Sequence, residues 1–105
     1  MVRGEIFRLP APATRRGREQ QGARFAVVVQ ADELLGLSTV LVAPTSTKAR
    51  PATFRPTIDV DGTTTSVMVE QTRAVDPERL GRSAGRLSGT ELRDVDVALR
   101  LVVGL

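Results

Sequence analysis

The residues Gly17-Arg18-Glu19-Gln20-Gln21-Gly22-Ala23-Arg24 run straight into Phe25-Ala26-Val27-Val28-Val29-Gln30. A basic loop ends there in an apolar run that reads as a buried strand, with Arg24 at the junction. A rigid sheet can aim a side chain placed at such a point toward a ligand. A guanidinium offers phosphate oxygens two parallel N–H donors, so the chemistry suggested is phosphate recognition. A second polar loop, Thr45-Ser46-Thr47-Lys48-Ala49-Arg50-Pro51, adds hydroxyls and two more cations. The chain has no histidine and no cysteine. That removes the commonest acid–base group, thiolate nucleophiles, disulfides and the usual zinc ligands. Catalysis therefore falls to Arg, Lys, Asp, Glu, Ser or Thr.

Charge is unevenly spread. Residues 1–24 hold six arginines against two glutamates, while the other 81 residues come close to balance and the whole chain carries a formal net charge of +3. Clustered arginine points to a polyanionic partner, nucleic acid or an acidic polypeptide. With three phenylalanines and no tyrosine or tryptophan, base-stacking platforms are scarce. Any reading of nucleic-acid bases then rests on hydrogen bonds to them. At 105 residues the expectation is one domain over 1–105 with one modest core. No apolar run approaches the ~18 residues that span a bilayer, and Met1-Val2-Arg3-Gly4-Glu5 lacks the apolar stretch of a signal peptide. The chain reads as cytoplasmic.

These residues need a scaffold, and the pattern predicts one made of short strands. Glu5–Leu9 alternates polar and apolar and ends at Pro10. Arg24–Gln30 is continuously apolar, which implies cover on both faces. Ala31–Leu35 reads as one helical turn stopped by Gly36. Ser38–Ala43 reads as a strand closed by Pro44, and Thr53–Val60 as another before the Asp61-Gly62 turn signal. Thr64–Val69 is rich in β-branched residues. Thr72–Val75 extends the sheet, Asp76-Pro77-Glu78-Arg79 makes a turn, and residues near 81–87 add an edge strand. Ser88-Gly89-Thr90-Glu91 matches a capping box. Leu92, Val95, Leu99 and Val102 then follow at helical spacing, as core or dimer surface. The sum is a mainly β, antiparallel, barrel-like sheet with a C-terminal helix.

Four segments in order resemble the MazF/PemK family of toxin–antitoxin toxins, over nearly the whole chain. Arg3-Gly4-Glu5-Ile6-Phe7 is similar to the family's opening strand. Glu19-Gln20-Gln21-Gly22-Ala23-Arg24 and its valines resemble E-Q-x-G-x-R-P-x-[VL]. Val42-Ala43-Pro44-Thr45-Ser46 resembles V-x-P-x-[TS], and Glu70-Gln71-Thr72-Arg73-Ala74-Val75 resembles [DE]-Q-x-[RK]-x-[IV]. The resemblance implies a small SH3-like barrel of the CcdB/PemK type and a homodimer. It implies a metal-independent endoribonuclease with no cofactor. The product ends are a 2′,3′-cyclic phosphate and a 5′-hydroxyl. The implied partners are single-stranded RNA and a MazE-like antitoxin whose acidic, disordered tail fills the RNA groove. It assigns catalysis to Arg24 and to the hydroxyl of Ser46, with Thr45 and Thr47 one residue away on either side. Phe25 departs from the family's proline. Met68 stands where some members carry a catalytic arginine, and Arg18 where they carry a histidine. The alternative of another class is a non-catalytic, CcdB-type topoisomerase inhibitor, or a catalytically silent member.

In such an enzyme the RNA supplies its own nucleophile, the 2′-hydroxyl beside the scissile phosphate, so positioning does much of the work. Charge builds on the non-bridging oxygens, where Arg24 can stabilise it. Arginine stays protonated throughout the ordinary pH range and is a poor base. Glu19 or Glu70 is the chemically reasonable base. Glu70 and Arg73 are also expected to pair across a dimer interface. Arg15, Arg16, Arg18, Gln20, Thr45, Thr47, Lys48 and Arg73 are the expected RNA contacts.

Overall fold

The computed structural model describes residues 1–10 and 24–105. Among the described residues, seven short antiparallel strands curl into a half-barrel, and one α-helix closes its inner side. The strands are β1 (Glu5–Arg8), β2 (Phe25–Val28), β3 (Val40–Ser46), β4 (Thr57–Val60), β5 (Thr63–Val67), β6 (Arg73–Val75) and β7 (Ser83–Arg86), followed by helix α1 (Gly89–Val103). The sheet order is β4-β5-β3-β2-β1-β7, with β6 paired to the first half of β3.

The apolar run of β2 is covered on both faces, as its sequence predicts. Phe25, Val27 and Val29 join Ile6, Ala43, Ile58, Val60, Val67, Val69, Val95 and Ala98 in the main core under α1. Ala26 and Val28 face the other way and meet Val40 and Val42, with Phe7, Leu9, Leu35, Val75 and Leu80 packed around them.

Several expected boundaries move. The strand predicted to close at Pro44 instead runs through it to Ser46. Pro44 lies where β3 changes partner from β6 to β5, so its missing N–H interrupts no rung. Its carbonyl is used, accepting the Met68 N–H at 2.8 Å. The strand expected over 53–60 covers only Thr57–Val60, because Pro56 precedes it and Arg55 N–H closes a turn onto the Ala52 carbonyl. β5 stops at Val67, and Val69–Gln71 forms a 3₁₀ turn instead of more strand. The Thr72 hydroxyl fastens that turn to the Val69 carbonyl at 2.7 Å.

The local signals hold. Asp61 and Gly62 both adopt positive φ, 51° and 81°, the two-residue turn that joins twisted strands in a hairpin. Ser88 and Glu91 make both bonds of the capping box, Ser88 Oγ accepting the Glu91 N–H at 3.1 Å and Glu91 Oε1 the Ser88 N–H at 2.9 Å. Glu91 Oε2 also accepts the Asp59 N–H at 3.0 Å, tying the helix start to strand β4. Along the predicted stripe Val95 is buried and Leu92 and Leu99 half-buried, but Val102 is exposed and Ala98 is the buried residue of that turn.

Candidate active site

The β2–β3 ladder brings the segments that carry Arg24 and Ser46 to the same end of the sheet. Ala26↔Pro44, Val27↔Ala43 and Val28↔Val42 set its register. The paired register ends at Ala26↔Pro44; Arg24 lies two residues before Ala26 and Ser46 two residues after Pro44, and between them the Phe25 N–H donates to Thr45 Oγ1 at 3.2 Å. Side chains alternate along a strand, so Arg24 and Ser46 share the face of Ala26 and Pro44. Arg24 is exposed and Ser46 half-buried. From the other side, Leu9 N–H donates to the Arg24 carbonyl at 2.9 Å.

Ser46 Oγ accepts the Lys48 N–H at 3.1 Å, a local turn that serine favours. A hydroxyl that accepts one bond still has its proton to donate. Thr45 has a different place. Alternation turns it to the opposite face, it is 1% exposed, and its Oγ1 accepts the Phe25 N–H at 3.2 Å. The RNA contact expected of Thr45 is corrected here, since a buried hydroxyl on the core side of the sheet cannot meet a polymer. Thr47 and Lys48 are exposed just past the strand end. Ser46 pairs with Ser66, and Ser66 with Thr57. A row of hydroxyl residues therefore crosses β3, β5 and β4 on the face of Arg24.

Residues 2–103 match the model of the family described as PemK-like, MazF-like toxin of type II toxin–antitoxin system. The chain belongs to that family. It is similar to endoribonuclease MazF9 of Mycobacterium tuberculosis, 36% identical over an alignment covering 100% of this chain and 98% of that protein. Among solved structures it is similar to an endoribonuclease in complex with its cognate antitoxin from a mycobacterial species, with a TM-score of 0.81 and 17% identity over 100% of this chain and 96% of that one. It is also similar to a MazE–MazF structure from Deinococcus radiodurans, with a TM-score of 0.75 and 22% identity over 100% and 96% of the two chains. At these identities the likeness of the structures is one of fold.

In this MazF-like chain the remaining family positions are placed as follows. Glu70 lies on the 3₁₀ turn after β5, and within the chain its carboxylate is held by Arg55. Arg55 Nε and Nη2 both donate to Glu70 Oε2, at 2.9 and 2.6 Å, and Arg55 Nη1 donates to the Arg50 carbonyl at 3.1 Å. Hydrogen bonding from Arg55 holds the Glu70 carboxyl below the ordinary carboxylate range, with desolvation opposing. The pair pins the loop that follows Ser46. The sequence reading missed Arg55, whose only signal was a cation set between Phe54 and Pro56. Arg73 is exposed on β6 across from Val42, on the Arg24 face. Met68, half-buried beside Pro44, brings no ionisable group.

Two arginines of the basic N-terminal stretch are used inside the fold. Arg3 Nε donates to the Val29 carbonyl at 2.9 Å and its Nη1 lies 2.8 Å from Asp96. Arg8 stacks on the Phe25 ring, 5.5 Å from its centroid, with Asp61 3.7 Å away. Arg15, Arg16, Arg18, Glu19 and Gln20 lie outside the described residues. Among the described residues no helix is long and apolar enough to cross a membrane.

Proposed function

We propose that this toxin is a sequence-specific, metal-independent endoribonuclease acting on single-stranded RNA, and that mRNA cleavage halts translation and growth. The observation that supports the reading is that Arg24, exposed, and Ser46, half-buried, lie at the same end of the β2–β3 ladder, in a chain of the MazF-like family. The 2′-oxygen of the nucleotide before the cut attacks phosphorus, and the P–O5′ bond breaks. The proton of the 2′-hydroxyl goes to a base, and the leaving 5′-oxygen takes one up. The products are a 2′,3′-cyclic phosphate and a 5′-hydroxyl. Arg24 stabilises the charge that grows on the non-bridging oxygens. Ser46, its oxygen already oriented by the Lys48 N–H, donates its proton to the same phosphate.

Of the two carboxylates considered as base, Glu70 is engaged by Arg55 and holds its proton less tightly than an ordinary glutamate. That favours a role in anchoring the loop and leaves Glu19 as the candidate base. Lys48, Thr47 and Arg73, with Arg15, Arg16, Arg18 and Gln20, are assigned to RNA contact. The active form is a homodimer located in the cytoplasm, restrained by a MazE-like antitoxin whose acidic tail competes with RNA for this face.

The test is a digest of long single-stranded RNA in chelator, with fragment ends mapped, beside Arg24→Ala. Cuts at one short motif with 5′-hydroxyl ends, absent in the variant, support the reading. Intact RNA from folded protein sinks it and turns attention to a non-catalytic topoisomerase inhibitor.

A further inference from the structure

The peptide group joining Arg24 to Phe25 is held from both sides. Its carbonyl accepts the Leu9 N–H at 2.9 Å, from the β1 side. Its N–H donates to Thr45 Oγ1 at 3.2 Å, from β3. The second bond departs from the ladder pattern. Val29 N–H donates to the Leu41 carbonyl at 3.1 Å, and strict alternation gives the Phe25 N–H to the Thr45 carbonyl. Here the threonine side chain accepts, one residue past the last β2–β3 pair and at the point where β3 changes partner from β6 to β5. Thr45 is 1% exposed and Phe25 4%, so neither group has water as a substitute.

We propose that Thr45 is a positioning residue for Arg24: its buried hydroxyl fixes the Arg24–Phe25 peptide plane and thereby the direction in which the guanidinium leaves the sheet. This rests on the ribonuclease reading above. A plane fixed at both ends restricts ψ of Arg24 and φ of Phe25, the two torsions that set the Arg24 Cα–Cβ direction relative to Ser46. Preorganised donors lose their effect steeply when displaced, and a misplacement of ~1 Å can cost ~10²-fold in rate. The device needs an N–H at position 25, which Phe25 supplies and proline cannot. It acts on the transition state, so it belongs in kcat rather than in RNA affinity.

The test compares wild type, Thr45→Val, Thr45→Ser, Arg24→Ala and the double variant Arg24→Ala/Thr45→Val on a short RNA carrying the mapped cut site. The melting temperature of each is measured alongside. Valine keeps the shape and removes the acceptor, while serine keeps the acceptor. The expected result is a kcat roughly 10- to 100-fold lower in Thr45→Val, an unchanged KM, and near wild-type kcat in Thr45→Ser. The double variant should be no slower than Arg24→Ala alone, since a positioning residue has no effect once its target is gone. Thr45→Cys, a weaker acceptor, replaces the valine variant if that one does not fold, and should fall between wild type and Arg24→Ala. Wild-type kcat in folded Thr45→Val, equal losses in the serine and valine variants, or an additive double variant each overturns the proposal. If the wild type itself leaves RNA intact, the ribonuclease reading fails first and the positioning role fails with it.

Discussion

Two neighbouring hydroxyls show how one position in a strand separates chemistry from support. Ser46 is half-buried at the strand end near Arg24, while Thr45 is buried and bonded to the Phe25 N–H. Arg24→Lys keeps the charge and loses the two-pronged fork, so cleavage should fall steeply; Arg24→Ala should fall by ~10²–10³, the usual loss for one such donor. Initial rates on a single mapped site decide it, and full activity in the lysine variant would exclude a bidentate role. Glu70 belongs to this scale too. Its carboxyl titrates lower in the folded chain than in the unfolded one, mainly through Arg55. The unfolded state then binds more protons in the acid range, so stability rises with pH there and is lost as pH falls through the folded value. Glu5, held low chiefly by the Ser83 hydroxyl, adds the same sign. Melting temperature measured from pH 3 to 7 should drop on the acid side, and Glu70→Gln should flatten that drop. An identical acid limb in the variant would show that the pair does not contribute.

At the scale of elements, the capping box and the hairpin turn were legible because each is a short-range geometry. Asp61-Gly62 tolerates positive φ, and Ser88 lies three residues before Glu91. Ser88→Ala should cost about 1 kcal/mol in urea unfolding, with cleavage unchanged, because the helix start ties to β4 and not to the Arg24 face. A fall in kcat at constant melting temperature would mean the helix start is coupled to the site. Boundaries were less legible. Pro44 read as a strand end because proline removes a donor, yet a donor is dispensable where β3 passes between two partners. That is a property of the sheet, invisible along the chain.

For the whole molecule, α1 leaves Val97 and Leu101, four residues apart on one side of the helix, exposed at 62 and 56%. An apolar face of this kind suits the dimer proposed above. Leu101→Glu should shift the sedimenting mass toward the monomer while the helical circular dichroism signal stays the same. An unchanged dimer would place the interface elsewhere. The charge distribution also looks different once folded. The N-terminal arginine cluster suggested a polyanionic partner, but Arg3 and Arg8 serve the fold through Asp96, the Val29 carbonyl, Phe25 and Asp61. Among the described residues, Arg24 and Arg73 are the exposed arginines on the face with Ser46.

The sequence by itself determined the element order, the strand-dominated class, the terminal helix and the two short segments that meet at the candidate site. These follow from periodicity, turn residues and caps, which act over a few residues. Only the tertiary structure decided that Thr45 is buried while Ser46 is partly exposed, that Arg55 holds Glu70 within the chain, and which arginines are structural. Those outcomes depend on register between strands distant in sequence, and a slip of one residue turns every side chain to the opposite face.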